Sequence, residues 1–120
     1  MGSTVISVRL PAASEHRMKL MPSRYGWTPS EASARLVEEG LRRWEFALID
    51  FRDSSAGRQA CIQGSSLAVW EVMLLVQSYN NDLKAAAKHL QWPEANVQAA
   101  IKYNEAFADE IAQALDDVAR

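Results

Sequence analysis

The chain has 120 residues, 48% of them hydrophobic, and a formal net charge of −2. That length fits one ordinary domain or two very small ones, and that apolar content excludes a compositionally disordered chain. No run approaches the ~20 apolar residues of a membrane span, no signal-peptide stretch opens the chain, and the single cysteine, Cys61, cannot form an intramolecular disulfide, so a soluble cytoplasmic protein is expected.

Residues 4–10 read TVISVRL and are followed by Pro11. Ile6, Val8 and Leu10 fall on one side of an extended strand, and Val5, Ser7 and Arg9 on the other. A lone strand leaves its backbone N–H and C=O groups unpaired and is not stable by itself. A second copy of the chain can pair with it, and a two-stranded ribbon fits the DNA major groove.

Ala12–Tyr25 follows as a helix, with Met18, Met21 and Tyr25 at helical spacing. Pro22 inside it costs roughly 3 kcal/mol, which predicts a kink or an early stop near Met21. Gly26 suits the position just past a helix end. In the next stretch, WTPSE, Thr28 is the N-cap, Pro29 the first helical residue and Glu31 the partner of a capping box. Ala32, Leu36, Val37, Gly40, Leu41 and Trp44 then form one apolar face through about Phe46. Gly40 on that face lets another helix approach closely.

Ala47–Phe51 reads as a short strand, Asp53–Gly57 as a turn containing Ser54 and Ser55, and Gln59–Ile62 as a return strand closed by Gly64. Ser65 or Ser66 caps a helix over Leu67–Ser78, and Asn80 or Asn81 caps a short one over Asp82–Leu90. Pro93 opens a long helix to about Val118. Its residues Val97, Ile101, Asn104, Ala108, Ile111, Leu115 and Val118 alternate spacings of four and three, a heptad seam. That seam can pack within its own fold, on a second copy, or in a groove on another protein. Ile101, Asn104, Ala108, Ile111 and Leu115 are its candidate partner-binding residues.

Charge is unevenly spread. Residues 1–26 carry Arg9, Arg17, Lys19 and Arg24 against Glu15, a net +3. Residues 101–120 carry Lys102 and Arg120 against Glu105, Asp109, Glu110, Asp116 and Asp117, a net −3. A basic head suits phosphate, and an acidic tail suits a different, basic partner. Two histidines, His16 and His89, and one cysteine give no nucleophile–base pair and no metal-ligand spacing, so neither an enzyme nor a cofactor is expected. Trp27, Trp44, Trp70 and Trp92 read as core or junction residues.

The order of strand, helix, Gly26 turn and TPSE-capped helix over residues 4–46 resembles a ribbon-helix-helix DNA-binding domain. The resemblance implies an obligate dimer whose paired strands enter the major groove with Val5, Ser7 and Arg9, while Ile6, Val8 and Leu10 become core. It also implies that the backbone at Thr28, Pro29 and Ser30 clamps a phosphate, as a helix N-terminus can. Residues 48–115, with GRQACIQGSSLAVWEVMLLV and DLKAAAKHLQWPEANVQAAIKYNEAF, resemble the prokaryotic domain of unknown function 433. They lack the arginine and proline of that family's helix-start motif. This second resemblance implies a helix trio similar to homeodomain-like helix-turn-helix folds, in a family whose members resemble VapB-type antitoxins often encoded beside a PIN-like ribonuclease toxin. Its second helix, PEANVQAA, has no cation before Lys102, which argues against DNA reading there.

The expected protein is therefore mainly α, with a ribbon-helix-helix domain over 1–46 and an antitoxin-like helical domain over 47–120. The expected function is that of an antitoxin which binds double-stranded operator DNA as a homodimer or higher oligomer and neutralises a ribonuclease toxin. The alternatives are a stand-alone ribbon-helix-helix regulator and a protein-interaction module without DNA binding.

Overall fold

A computed structural model describes residues 2–54 and 57–120, without the side chains of residues 21–25. The chain is mainly helical: α1 Ala12–Tyr25, α2 Pro29–Glu45, α3 Val69–Ser78, α4 Leu83–Leu90, α5 Glu94–Ala106 and α6 Ala108–Ala119. Strands β1 Ile49–Ser54 and β2 Gly57–Ile62 form a two-stranded antiparallel sheet, in which Ile49 faces Ile62 and Ser54 faces Gly57. Two compact units divide the chain, Met1–Glu38 and Glu39–Arg120, and the division falls inside α2.

In the first unit, residues 2–10 carry no regular secondary structure. Among the described residues they have no ladder partner, and Val5, Ile6, Val8 and Leu10 are 93%, 82%, 74% and 46% exposed rather than core. Helix α1 does not stop at Met21 but continues through Pro22 to Tyr25, where Gly26 (φ +71°) turns the chain. The expected spacing of Met21 and Tyr25 involves side chains outside the described set. Thr28 caps α2 as expected: its Oγ1 accepts from the Glu31 N–H at 3.1 Å, and Pro29 is the first helical residue. Ala32 is the one buried hydrophobic residue among the described residues of this unit.

The second unit has a continuous core. Ile62, Val69, Val72, Val76, Val97 and Tyr103 are its largest fully buried side chains. The first strand is shifted from the expected Ala47–Phe51: Ala47 and Leu48 (φ +67°) stay in a turn, and Asp53, Ser54 and Gly57 of the expected turn pair in the ladder instead; Ser55 of that turn lies outside the described residues. Neither Ser65 nor Ser66 caps α3. Ser65 instead builds the preceding turn, with its Oγ donating to the Ile62 carbonyl and accepting from the Leu67 N–H. Ala68 is the N-cap of α3, and the Glu71 carboxylate accepts its N–H at 3.0 Å. Helix α4 is capped by Asp82, which accepts from the Ala85 N–H, rather than by Asn80 or Asn81. Those two asparagines take the left-handed backbone (φ +56° and +64°) of the α3–α4 corner, a conformation asparagine tolerates.

The long C-terminal helix is two helices. Phe107 (φ −127°, ψ 47°) ends α5 and starts α6. Its ring turns inward against Tyr103 and Phe46, with centroids 4.8 and 5.7 Å away. The heptad seam is therefore not one straight stripe. Val97 and Ile111 are buried, Ile101 and Leu115 pack against the core, and Ala108 and Val118 face solvent.

The revised caps give a direct test. Asp82→Ala should destabilise the protein by about 1 kcal/mol in a denaturant titration, whereas Ser66→Ala should change it by less than about 0.5 kcal/mol.

Candidate functional site

The residues expected to read DNA all lie in the first unit and are exposed. Val5, Ser7 and Arg9 sit on the irregular N-terminal arm; Thr28, Pro29 and Ser30 open α2. The helix start offers less to an anion than a bare N-terminus does. Thr28 Oγ1 takes the Glu31 N–H, the Ala32 N–H bonds the Thr28 carbonyl at 2.9 Å, and Pro29 has no N–H. The Ser30 N–H remains as the open donor of that turn among the described residues. Within the same unit, the Ser33 hydroxyl donates at 2.8 Å to the Pro29 carbonyl of its own helix, and its Oγ lies 3.0 Å from Met18 Sδ, so α1 and α2 touch there. Arg35 stacks its guanidinium 4.6 Å over the Trp27 ring.

The apolar face of α2 stays open. Val37, Leu41 and Trp44 are 63%, 50% and 86% exposed. Trp44 is thus neither core nor junction in the single chain.

In the second unit, the expected partner-binding seam is mostly occupied by its own fold. Ile111 is 4% exposed, Ile101 and Leu115 contact the core, Asn104 is half-buried and Ala108 is exposed. No continuous Ile101–Leu115 surface is free. The acidic residues of the tail do face solvent: Glu105, Asp109, Glu110, Asp116 and Asp117.

Sequence reasoning missed a polar clasp in this unit. Arg42 Nη1 donates to the Tyr103 hydroxyl at 2.7 Å and to Glu110 Oε1 at 2.8 Å, while the Tyr103 O–H donates to Glu110 Oε2 at 2.6 Å. The Arg42 guanidinium also lies 3.7 Å over the Phe107 ring. A second set joins Arg58 to both carboxylate oxygens of the buried Glu39, at 2.8 and 2.9 Å, and to Asp53 at 3.1 Å; Arg43 reaches Asp50 at 3.1 Å. The hydrogen bonds to Glu39 raise the Arg58 pKa and keep it firmly charged. No sequence signal announces these groups, because Arg42 and Tyr103 are 61 residues apart.

Cys61 is a buried free thiol whose pKa burial raises, the opposite of an activated nucleophile. Among the described residues no helix is long and apolar enough to cross a membrane, and no group of three or more His, Cys, Asp or Glu side chains could hold a metal ion. No protein-family model, curated protein or solved structure matches this chain.

Burial, then the hydrogen bond to Glu110, raises the Tyr103 pKa above its ordinary value. The unfolded chain therefore loses this proton first as pH rises. The associated stability is complete below about pH 10 and is lost above it. Tyr103→Phe should cost about 1–3 kcal/mol at neutral pH and flatten the loss of stability above about pH 10, read by denaturant midpoints across an alkaline series.

Proposed function

We propose that this protein is a homodimeric DNA-binding regulator of the antitoxin type. Its first unit pairs with that of a second copy to read operator DNA, and its second unit is the folded module that engages a ribonuclease. The observation that carries the dimer is an unmet burial requirement. Met1–Glu38 has one buried hydrophobic residue among those described, against exposed Val5, Ile6, Val8, Leu10, Leu20 and Val37. Units below about 40 residues rarely stand without a metal, a disulfide or a partner copy. Pairing two arms gives each strand its missing ladder and covers Ile6, Val8 and Leu10, while Val5, Ser7 and Arg9 turn to the groove.

The +3 head supports phosphate contact, and the Ser30 N–H at the start of α2 supplies one further donor. The partner-binding part of the reading shifts from the seam to the solvent-facing acids of α5 and α6, which complement a basic RNA-binding cleft. The packing of Ile111 and Leu115 into the protein's own core favours a second reading, a stand-alone regulator with a structural C-terminal unit.

Binding to a duplex from the promoter of the protein's own operon tests the first part. Wild type should bind as a dimer with a steep loss of affinity on adding salt, and Arg9→Ala should weaken binding about tenfold and lower the salt slope. No salt-dependent binding at all would sink the DNA reading. Charge reversal of Asp109, Asp116 and Asp117 should abolish protection against a nuclease encoded next to the gene and leave DNA binding unchanged; retained protection favours the stand-alone regulator.

A further inference from the structure

A groove of about 340 Å³ lies between β2, α6 and the start of α3. Helix α6 lines it with two rows. Ile111, Ala114 and Val118 stand at helical spacing and form an apolar row, to which Ala60 of β2 and Trp70 of α3 add apolar surface. Glu110, Gln113 and Asp117 repeat that spacing one residue earlier and form a polar row beside it, about 10 Å long. The groove is closed at one end, where Ile111 and Ala60 are buried, and open at the other, where Val118 is 54% exposed.

Its charges do not balance. Arg58 lines the groove but is bound by Glu39 and Asp53, and Glu110 is bound by Arg42. Asp117 accepts only from the neutral Gln113 amide among the described residues, at 2.8 Å. Together these groups set four carboxylates against two guanidiniums, and the uncompensated one stands at the open end. The same wall holds the one buried side-chain donor among the described residues that lacks a hydrogen-bond partner, the Trp70 indole N–H. Buried polar groups are ordinarily satisfied, so the groove is the incomplete part of an otherwise well-packed unit.

We propose that this groove docks a basic amphipathic segment of a partner protein. Its apolar side chains lie along Ile111, Ala114 and Val118, and a lysine or arginine meets Asp117. Charge complementarity selects this occupant: an acidic segment is repelled by the polar row, and a purely apolar one desolvates Asp117 without giving it a cation. The two rows run side by side, so a segment with cations along one margin of an apolar stripe matches both. The proposal rests on the reading of the second unit as the part that engages a basic ribonuclease. It narrows that reading from the whole acidic surface to one groove.

The test is titration of the capped peptide Lys-Leu-Ala-Leu-Lys into the ¹⁵N-labelled full-length protein. Saturable shifts are expected at the Trp70 indole N–H and at the Ala114 and Val118 amides, with a dissociation constant below about 1 mM that rises with added salt. Asp117→Asn and Val118→Glu, both on the exposed rim, should each weaken binding at least about fivefold, whereas Asp109→Asn, an exposed acid of α6 outside the groove, should change it less than about twofold. The charge-reversed peptide Glu-Leu-Ala-Leu-Glu and the apolar-depleted Lys-Ala-Ala-Ala-Lys should leave the groove signals in place. No shift up to about 1 mM peptide, or an equal loss of binding in Asp109→Asn, overturns the proposal. So do groove shifts that appear on concentrating the protein without peptide, which assign the groove to a second copy. Protection against the nuclease is read separately. If the peptide binds as expected while no acidic variant affects protection, the ribonuclease reading fails and the groove stands. If protection needs the acids but Val118→Glu protects as wild type does, the groove proposal fails and the reading stands.

Discussion

A buried phenol must satisfy its hydroxyl, and that requirement organises the C-terminal unit. Tyr103 is fully buried, and its hydroxyl meets Arg42 from α2 and Glu110 from α6. Both partners are charged, so these bonds are stronger than neutral ones, and removing either leaves a polar group without compensation. The geometry also explains the corner at Phe107. Breaking α5 from α6 lets Phe107 fold against Tyr103 and under Arg42, while Glu110 swings back to the Tyr103 hydroxyl. A straight helix would carry Glu110 past that position, since residues 103 and 110 then lie about 10 Å apart along the axis.

The N-terminal unit is governed by the opposite condition. Its described residues bury one hydrophobic side chain, so its apolar surface has little to pack against within the unit. Hydrophobic burial is worth roughly 25 cal/mol per Å², and an exposed arm forgoes that stabilisation until another surface covers it. In the proposed dimer the arm of another copy is that surface, and it also supplies the backbone partners that a lone strand lacks.

Much of this was legible in the sequence because it is local. Helix α1, the Gly26 turn, the Thr28 cap and the hairpin all follow from residues within a few positions of each other. The heptad spacing marked Val97, Ile101, Ile111 and Leu115 as one stripe but left open what covers it; the protein's own core takes Val97 and Ile111, and Ile101 and Leu115 pack against that core. The spacing did not mark the break, because EAFADE contains neither glycine nor proline and two of the groups that hold Phe107 inward, Phe46 and Arg42, lie far away in the chain. The caps of α3 and α4 were misassigned for a related reason. Several plausible capping residues stood in a row, and backbone geometry chose among them: Ser65 went to a turn, Asn80 and Asn81 to left-handed corners, and Asp82 to the cap.

The candidate site divides along the same line. Sequence alone determined the arm's alternation, its exposed basic residue and the capped helix start, since strand periodicity and capping are read over two to four residues. The tertiary structure decided that the Thr28 hydroxyl and Pro29 leave the Ser30 N–H open, and that Ile111 serves the protein's own core. It also decided that residues 67 and 68 close on the outer edge of β2, where the Ile62 N–H meets the Leu67 carbonyl and Cys61 bridges Ala68. Those facts depend on which groups meet across long separations in the chain, and one-dimensional periodicity carries no information about them.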